Sequence, residues 1–218
     1  MSDIFLKRTA TYQILNVNYN TDLGLFRGKM GCAIFFYNYA KYIKNSLFSN
    51  FADELLDDIF ENIQRDTPLN FYDGLSGIGF GIQYLISQKY VEADSDVLDE
   101  FDIRIMEFDP LRMKDYSLES GIEGYAWYIL SRLFYSEKNK FDSNYLNKFL
   151  KACHLSKLEQ QSDAIRLFRE YYSGNRKEIT DLFLPILQKI ALQKGSTDDI
   201  FLWQHGLRTL IYDTSISD

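Results

Sequence analysis

The chain has 218 residues, 46% of them hydrophobic and 16% aromatic, enough to bury a sizeable core and too apolar for a disordered tail. A net charge of -7 and a sequence pI near 4.9 argue against sequence-independent nucleic-acid binding and against an anionic membrane surface, both of which need basic residues. Cys32 and Cys153 make no disulfide framework, MSDIFLKRTATYQ lacks a secretory apolar core, and no run nears the ~18 apolar residues of a membrane span, so a soluble, cytoplasmic protein is expected.

With three prolines and no low-complexity linker, residues 1–218 read as a single domain. The first patterned segment is FRGKMGCAIFFYNYA, Phe26 to Ala40, which predicts a helix near 30–44. Phe51, Leu55, Ile59 and Ile63 then form an apolar stripe among acids and amides, an amphipathic helix near 50–64. YDGLSGIGFGIQYLI, Tyr72 to Ile86, repeats the first pattern and predicts a helix near 75–89. Val97, Phe101, Ile105 and Phe108 repeat the stripe near 95–107. ESGIEGYAWYILSRL, Glu119 to Leu133, gives the third copy, a helix near 121–136.

The copies share a phase. Gly28 and Gly31, Gly74 and Gly77, and Gly121 and Gly124 are pairs three residues apart, and the first glycines stand 46 and then 47 residues apart. Each unit is thus a helical hairpin, with a glycine-led helix facing inward and an amphipathic, acidic helix facing outward. Clear repeats run over 25–133; 134–218 is degenerate. Tyr145, Leu146, Phe149, Leu150 and Cys153 support one later helix, and Ile165, Phe168 and Tyr172 another. A third, Ile179 to Ala191, is one that Pro185 starts or kinks. HGLRTLIYD, His205 to Asp213, resembles a decayed fourth inner helix, and no segment reads as a strand.

Two readings of the glycines stand open. Gly74, Gly77 and Gly81 line one side of a helix and permit close approach of a neighbouring backbone, or each glycine supplies unusual dihedrals where the loop enters the helix. Either reading gathers the helix starts at one end of the array.

The Gly-x-x-Gly starts in phase, with DGLSGIGFGIQYLI followed by YVEADSDVLDEFDIRI, resemble the lanthionine synthetase C-like family, the cyclases of lantibiotic maturation, and especially its shorter bacterial relatives. The resemblance covers Leu25 to Leu133 and implies an all-α fold, an α/α toroid of helical hairpins with its cavity at one pole. At this length the ring is incomplete or shortened. An open edge would call for a second copy or another protein to complete it.

The resemblance also implies a zinc ion held by two cysteines and a histidine, which activates a peptide thiol. The only Cys-His pair is Cys153-His154, followed by Leu155 where the family has glycine; Cys32 lies in the first repeat, and no Trp-Cys-x-Gly segment occurs. No metal site and no cofactor is therefore expected. Cys153 reads instead as a small buried apolar residue, and His154 as a surface one.

The residues flanking the first glycines, Arg27, Lys29, Tyr72, Asp73, Glu119 and Glu123, are the candidate ligand-binding set. Asp73 reads also as an N-cap, and Glu119 and Glu123 as dipole partners. As an acid and base pair, Asp73 with Glu119 or Glu123 would suit a glycosidase. First-turn amides without helical partners, with Arg27 and Lys29, would attract carboxylate or carbonyl groups of a peptide. Tyr37, Tyr72, Tyr84 and Tyr125 are candidates for a wet cavity wall. Two classes follow: a non-catalytic protein binding a peptide or partner in the maturation of a ribosomally made product, or an enzyme, either a divergent cyclase or a carboxylate-dependent glycoside hydrolase.

Overall fold

The computed structural model describes residues 2–94, 96–136, 138–155, 162–174, 181–192 and 202–214. Among them the secondary structure is entirely helical. The helices are α1 (Ser2–Asn16), α2 (Lys29–Ile43), α3 (Leu47–Asn62), α4 (Leu75–Ser87), α5 (Asp99–Met106), α6 (Ile122–Tyr135), α7 (Ser143–Leu155), α8 (Asp163–Tyr172), α9 (Leu184–Leu192) and α10 (Trp203–Thr214). The expected inner helices at 30–44, 75–89 and 121–136 are α2, α4 and α6, and the expected outer ones are α3 and α5. Pro185 stands second in α9, where the missing N–H costs nothing, so it starts this helix and does not kink it. None of the described helices is long and apolar enough to cross a membrane.

Inner and outer helices differ in burial as their sequences require. α2, α4 and α6 are buried almost all round, polar Ser76, Gln83 and Ser131 included. α3 buries Ala52, Leu55, Leu56 and Ile59 and turns Asp53, Glu54 and Asp57 to solvent. A helix apolar on every side followed by an amphipathic one is the hairpin order of an α/α toroid.

The helices form two compact units, Met1–Arg65 with Asp181–Asp218, and Asp66–Thr180. In the first, α2 and α3 make a hairpin whose tight turn places Lys44 in the left-handed region, φ 54°. Phe36 packs edge-on against Phe51 at 4.8 Å between ring centres. α10 lies on α2, where Gly206 leaves room for the Phe35 ring and for Thr9 of α1. In the second unit, α4 and α6 pack through Gly79, against which the Tyr128 ring lies. α7 and α8 join through Phe149 and Phe168, 5.1 Å apart.

Candidate functional site

Each glycine-led helix begins in the same way. The amide of its first residue bonds to a carbonyl seven residues back: Lys29 N to Asp22 O at 2.9 Å, Leu75 N to Pro68 O at 2.8 Å, Ile122 N to Asp115 O at 3.1 Å. The next amide does likewise in two of them, Met30 N to Leu23 O at 3.2 Å and Ser76 N to Leu69 O at 3.3 Å. A side chain braces each lead-in loop. Asp22 Oδ1 accepts from Gly24 N at 2.7 Å. Asn70 Oδ1 accepts from Tyr72 N at 2.9 Å and from Asp73 N at 3.0 Å. Asp115 accepts from Ser117 N at 2.9 Å and from Ser120 Oγ at 2.6 Å. The Ser120 hydroxyl and the Ser117 amide hold the Asp115 carboxyl below the usual carboxylate range.

This geometry explains the first glycine of each pair. A Cβ at Gly28, Gly74 or Gly121 would overlap backbone atoms of the loop curled over it, at Gly24, Pro68 and Ser117. Their φ values, -94°, -112° and -107°, are open to any residue, so the requirement is space and not dihedral freedom. The second glycine makes room for a ring as well as for loop backbone: Trp203 at Gly31 and Phe71 at Gly124.

Two expectations are corrected here. The leading first-turn amides are not left to a ligand, because loop carbonyls take them. Asp73 is not the N-cap; that position is Gly74, with no side-chain bond, and Asn70 orders the loop instead.

The lead-in loops of α4 and α6 meet. The Glu119 carbonyl accepts from both Phe71 N and Tyr72 N at 3.0 Å, which sets Tyr72 and Asp73 beside Glu119, with Glu123 in the first turn of α6. All four are half-buried. The equivalent carbonyl in the other unit is that of Phe26, two residues before Gly28 as Glu119 is before Gly121, and it accepts from Gln204 Nε2 of α10 at 2.6 Å. α10 thus docks on α2 at the point used between α4 and α6, which gives the decayed inner helix its role.

Arg27 and Lys29 belong to the first unit. Arg27 is exposed, with its carbonyl accepting from Asn20 Nδ2 at 2.7 Å. Lys29 is buried and paired with Asp58 of α3. The expected wet wall is mostly core. Tyr37, Tyr84 and Tyr125 are buried, with Tyr37 donating to Asp53, and burial pushes the Tyr125 hydroxyl up to about 12. Only Tyr72 of the four stays half-buried.

The donor set does not fit zinc. The Cys32 thiol donates to Gln13 Oε1 at 3.3 Å, and burial raises its pKa far above the usual thiol range. Cys153 is buried, whereas adjacent His154 is exposed with Nδ1 2.8 Å from the Leu150 carbonyl. Among the described residues no three His, Cys, Asp or Glu side chains are placed to share a metal ion.

One buried cluster escaped the sequence reading. Asp102 of α5 and Arg132 of α6 pair at 3.0 to 3.2 Å, and Tyr128 donates to Asp102 at 2.7 Å. Lys140 N donates to Asp102 at 3.0 Å, while Arg132 also reaches Gln83 Oε1 at 3.1 Å and the Lys138 carbonyl at 3.2 Å. The signal was Asp102 standing in the row Leu98, Asp102, Ile105, on the inward side of its helix. Every oxygen of this carboxylate is satisfied, so it fastens helices and offers nothing to a ligand.

A family model described as lanthionine synthetase C-like protein matches residues 19–178, a span that holds all three glycine pairs. No curated protein and no solved structure matches the chain.

Proposed function

Because the chain belongs to the lanthionine synthetase C-like family, we propose that it binds a peptide during maturation of a ribosomally synthesised product, without zinc-dependent chemistry of its own. The observation that carries this reading is the docking of the α4 lead-in loop on the Glu119 carbonyl of the α6 lead-in loop, which sets Tyr72, Asp73 and Glu119 side by side with Glu123 one turn on. The site's preference follows from what the loops use up. With the leading amides taken by loop carbonyls, the attraction for anions is spent inside the protein, and the lead-in loops bring three carboxylates and a phenol together at one place.

Such a set accepts hydrogen bonds. It suits the amino terminus or a lysine or arginine side chain of a peptide, with the Tyr72 ring covering the apolar part of the same chain. Lys29 serves the hairpin through Asp58, and the exposed Arg27 is left to the first unit.

Calorimetric titration with candidate precursor peptides tests the reading. The wild-type protein binds in the micromolar range; Asp73→Asn with Glu119→Gln weakens binding about tenfold, or roughly 1.4 kcal/mol, and Tyr72→Ala weakens it less. Failure of every precursor to bind at high micromolar concentration would sink the proposal.

A further inference from the structure

Ser76 of α4 and Trp127 of α6 are 0% and 1% exposed, and among the described residues neither the Ser76 hydroxyl nor the Trp127 indole N–H has a hydrogen-bond partner. Buried donors are almost always bonded, so a pair left over beside a candidate site asks for an acceptor that the chain does not supply. An indole N–H can only donate, and a hydroxyl donates as readily as it accepts.

Both groups belong to the Glu119 docking point by their place in the repeat. Ser76 stands two residues after Gly74, as Glu123 stands two after Gly121, so α4 carries a hydroxyl where α6 carries a member of the candidate set. Trp127 follows Glu123 by one turn. A helical side chain lies over the turn before its own Cα, which for Trp127 is the turn of Glu123 and Gly124, where the Phe71 side chain packs just ahead of Tyr72. Ser76 and Trp127 both fall between that contact and the next one along the packed helices, Gly79 with Tyr128.

We infer that these two donors take the first carbonyl oxygen of a peptide whose free amino terminus rests on the carboxylates of Asp73, Glu119 and Glu123. The inference rests on the peptide-binding reading above and sharpens it. An ammonium and a carbonyl flank one Cα only at the amino-terminal residue, whereas a lysine or arginine side chain carries no carbonyl beside its cation. A set of acceptors next to a pair of donors therefore selects the terminus over the side chain. Both donors are closed to solvent, so side chains at the docking point part as the terminus enters.

The probes are glycyl-leucinamide with a free amino terminus, its acetylated form, and butylamine as a lysine side-chain mimic. Each is titrated against the full chain while the indole N–H signal of Trp127, identified by its loss in Trp127→Phe, is followed by NMR. Glycyl-leucinamide binds and moves the signal downfield, as a new hydrogen bond to a carbonyl does. The acetylated form and butylamine each bind at least about tenfold more weakly, because one half of the site is then left unpaired. Ser76→Ala loses about threefold, and its denaturation midpoint is unchanged or higher, since the hydroxyl it deletes has no partner inside the protein. Equal binding of the acetylated peptide or of butylamine, an indole signal that stays in place at saturation, an unchanged affinity in Ser76→Ala, or binding of none of the probes would overturn the inference. Equal binding of butylamine leaves the peptide-binding reading standing, because that reading falls only when precursor peptides fail to bind.

Discussion

The two compact units fasten an outer helix to an inner one by different means. In the first, α2 and α3 are linked by Lys29 with Asp58 and by Tyr37 with Asp53, and the Asp58 side chain keeps 38% exposure. In the second, α5 and α6 are linked by Asp102 and Arg132, 0% and 2% exposed, with Tyr128, Gln83 and the Lys140 amide completing the set. The difference follows from where the acid stands on the outer helix. Asp58 lies at the rim of the α3 stripe, where water shares the cost of its charge, whereas Asp102 lies inside the stripe and must find every partner within the protein. A rim pair contributes about 1 kcal/mol or less, while a buried charge left without its partner costs several. Burial, more than the number of bonds, sets what each fastening is worth.

The sharpest way to break this contrast is Arg132→Met. It strands the Asp102 carboxylate in the core, and we expect a loss of about 3–5 kcal/mol by chemical denaturation; a loss under about 1 kcal/mol would show that water reaches Asp102. The next effect concerns what the units share. Gly74→Ala forces a methyl into the Pro68 carbonyl, and unfolding free energy should fall by about 1–3 kcal/mol. Gly174 lies in open space at φ +79°, so alanine there meets only backbone strain of about 1 kcal/mol; equal losses at the two sites would refute the spatial explanation. The smallest effect belongs to the rim. Lys29→Met should cost about 1 kcal/mol or less, and added salt should shrink that cost, whereas the Arg132→Met cost should hardly respond.

The hairpins were legible because glycine pairs and four-residue stripes are local signals, and each helix expected of them falls within a few residues of the one observed; the expected helix start at Ile179 lies outside the described residues. α1 was not legible. It turns Leu6, Thr9, Ala10 and Gln13 inward while leaving Ile4 and Leu15 exposed, so no apolar stripe marks it. The candidate site was legible in part: proximity to the first glycines singled out Tyr72, Asp73, Glu119 and Glu123, but it also gathered Lys29, whose partner Asp58 lies a hairpin away in sequence. The use of the first-turn amides was hidden for another reason. Loop carbonyls carry no side-chain signature, so neither the capping by Asp22, Pro68 and Asp115 nor the redundancy of Asp73 as a cap shows in the residue types.

Those seven-residue bonds bear on how the chain folds. Starting a helix is its costly step, because several dihedrals are fixed before the first hydrogen bond repays them. Here Asp22, Pro68 and Asp115 each close a short loop onto the first amide of the helix that follows, and closing so few residues costs little chain entropy. Each glycine-led helix therefore carries its own nucleus within about ten residues of sequence, so α2, α4 and α6 can begin to form before any distant partner arrives. Long-range pairs such as Asp102 with Arg132 then lock helices that have already begun.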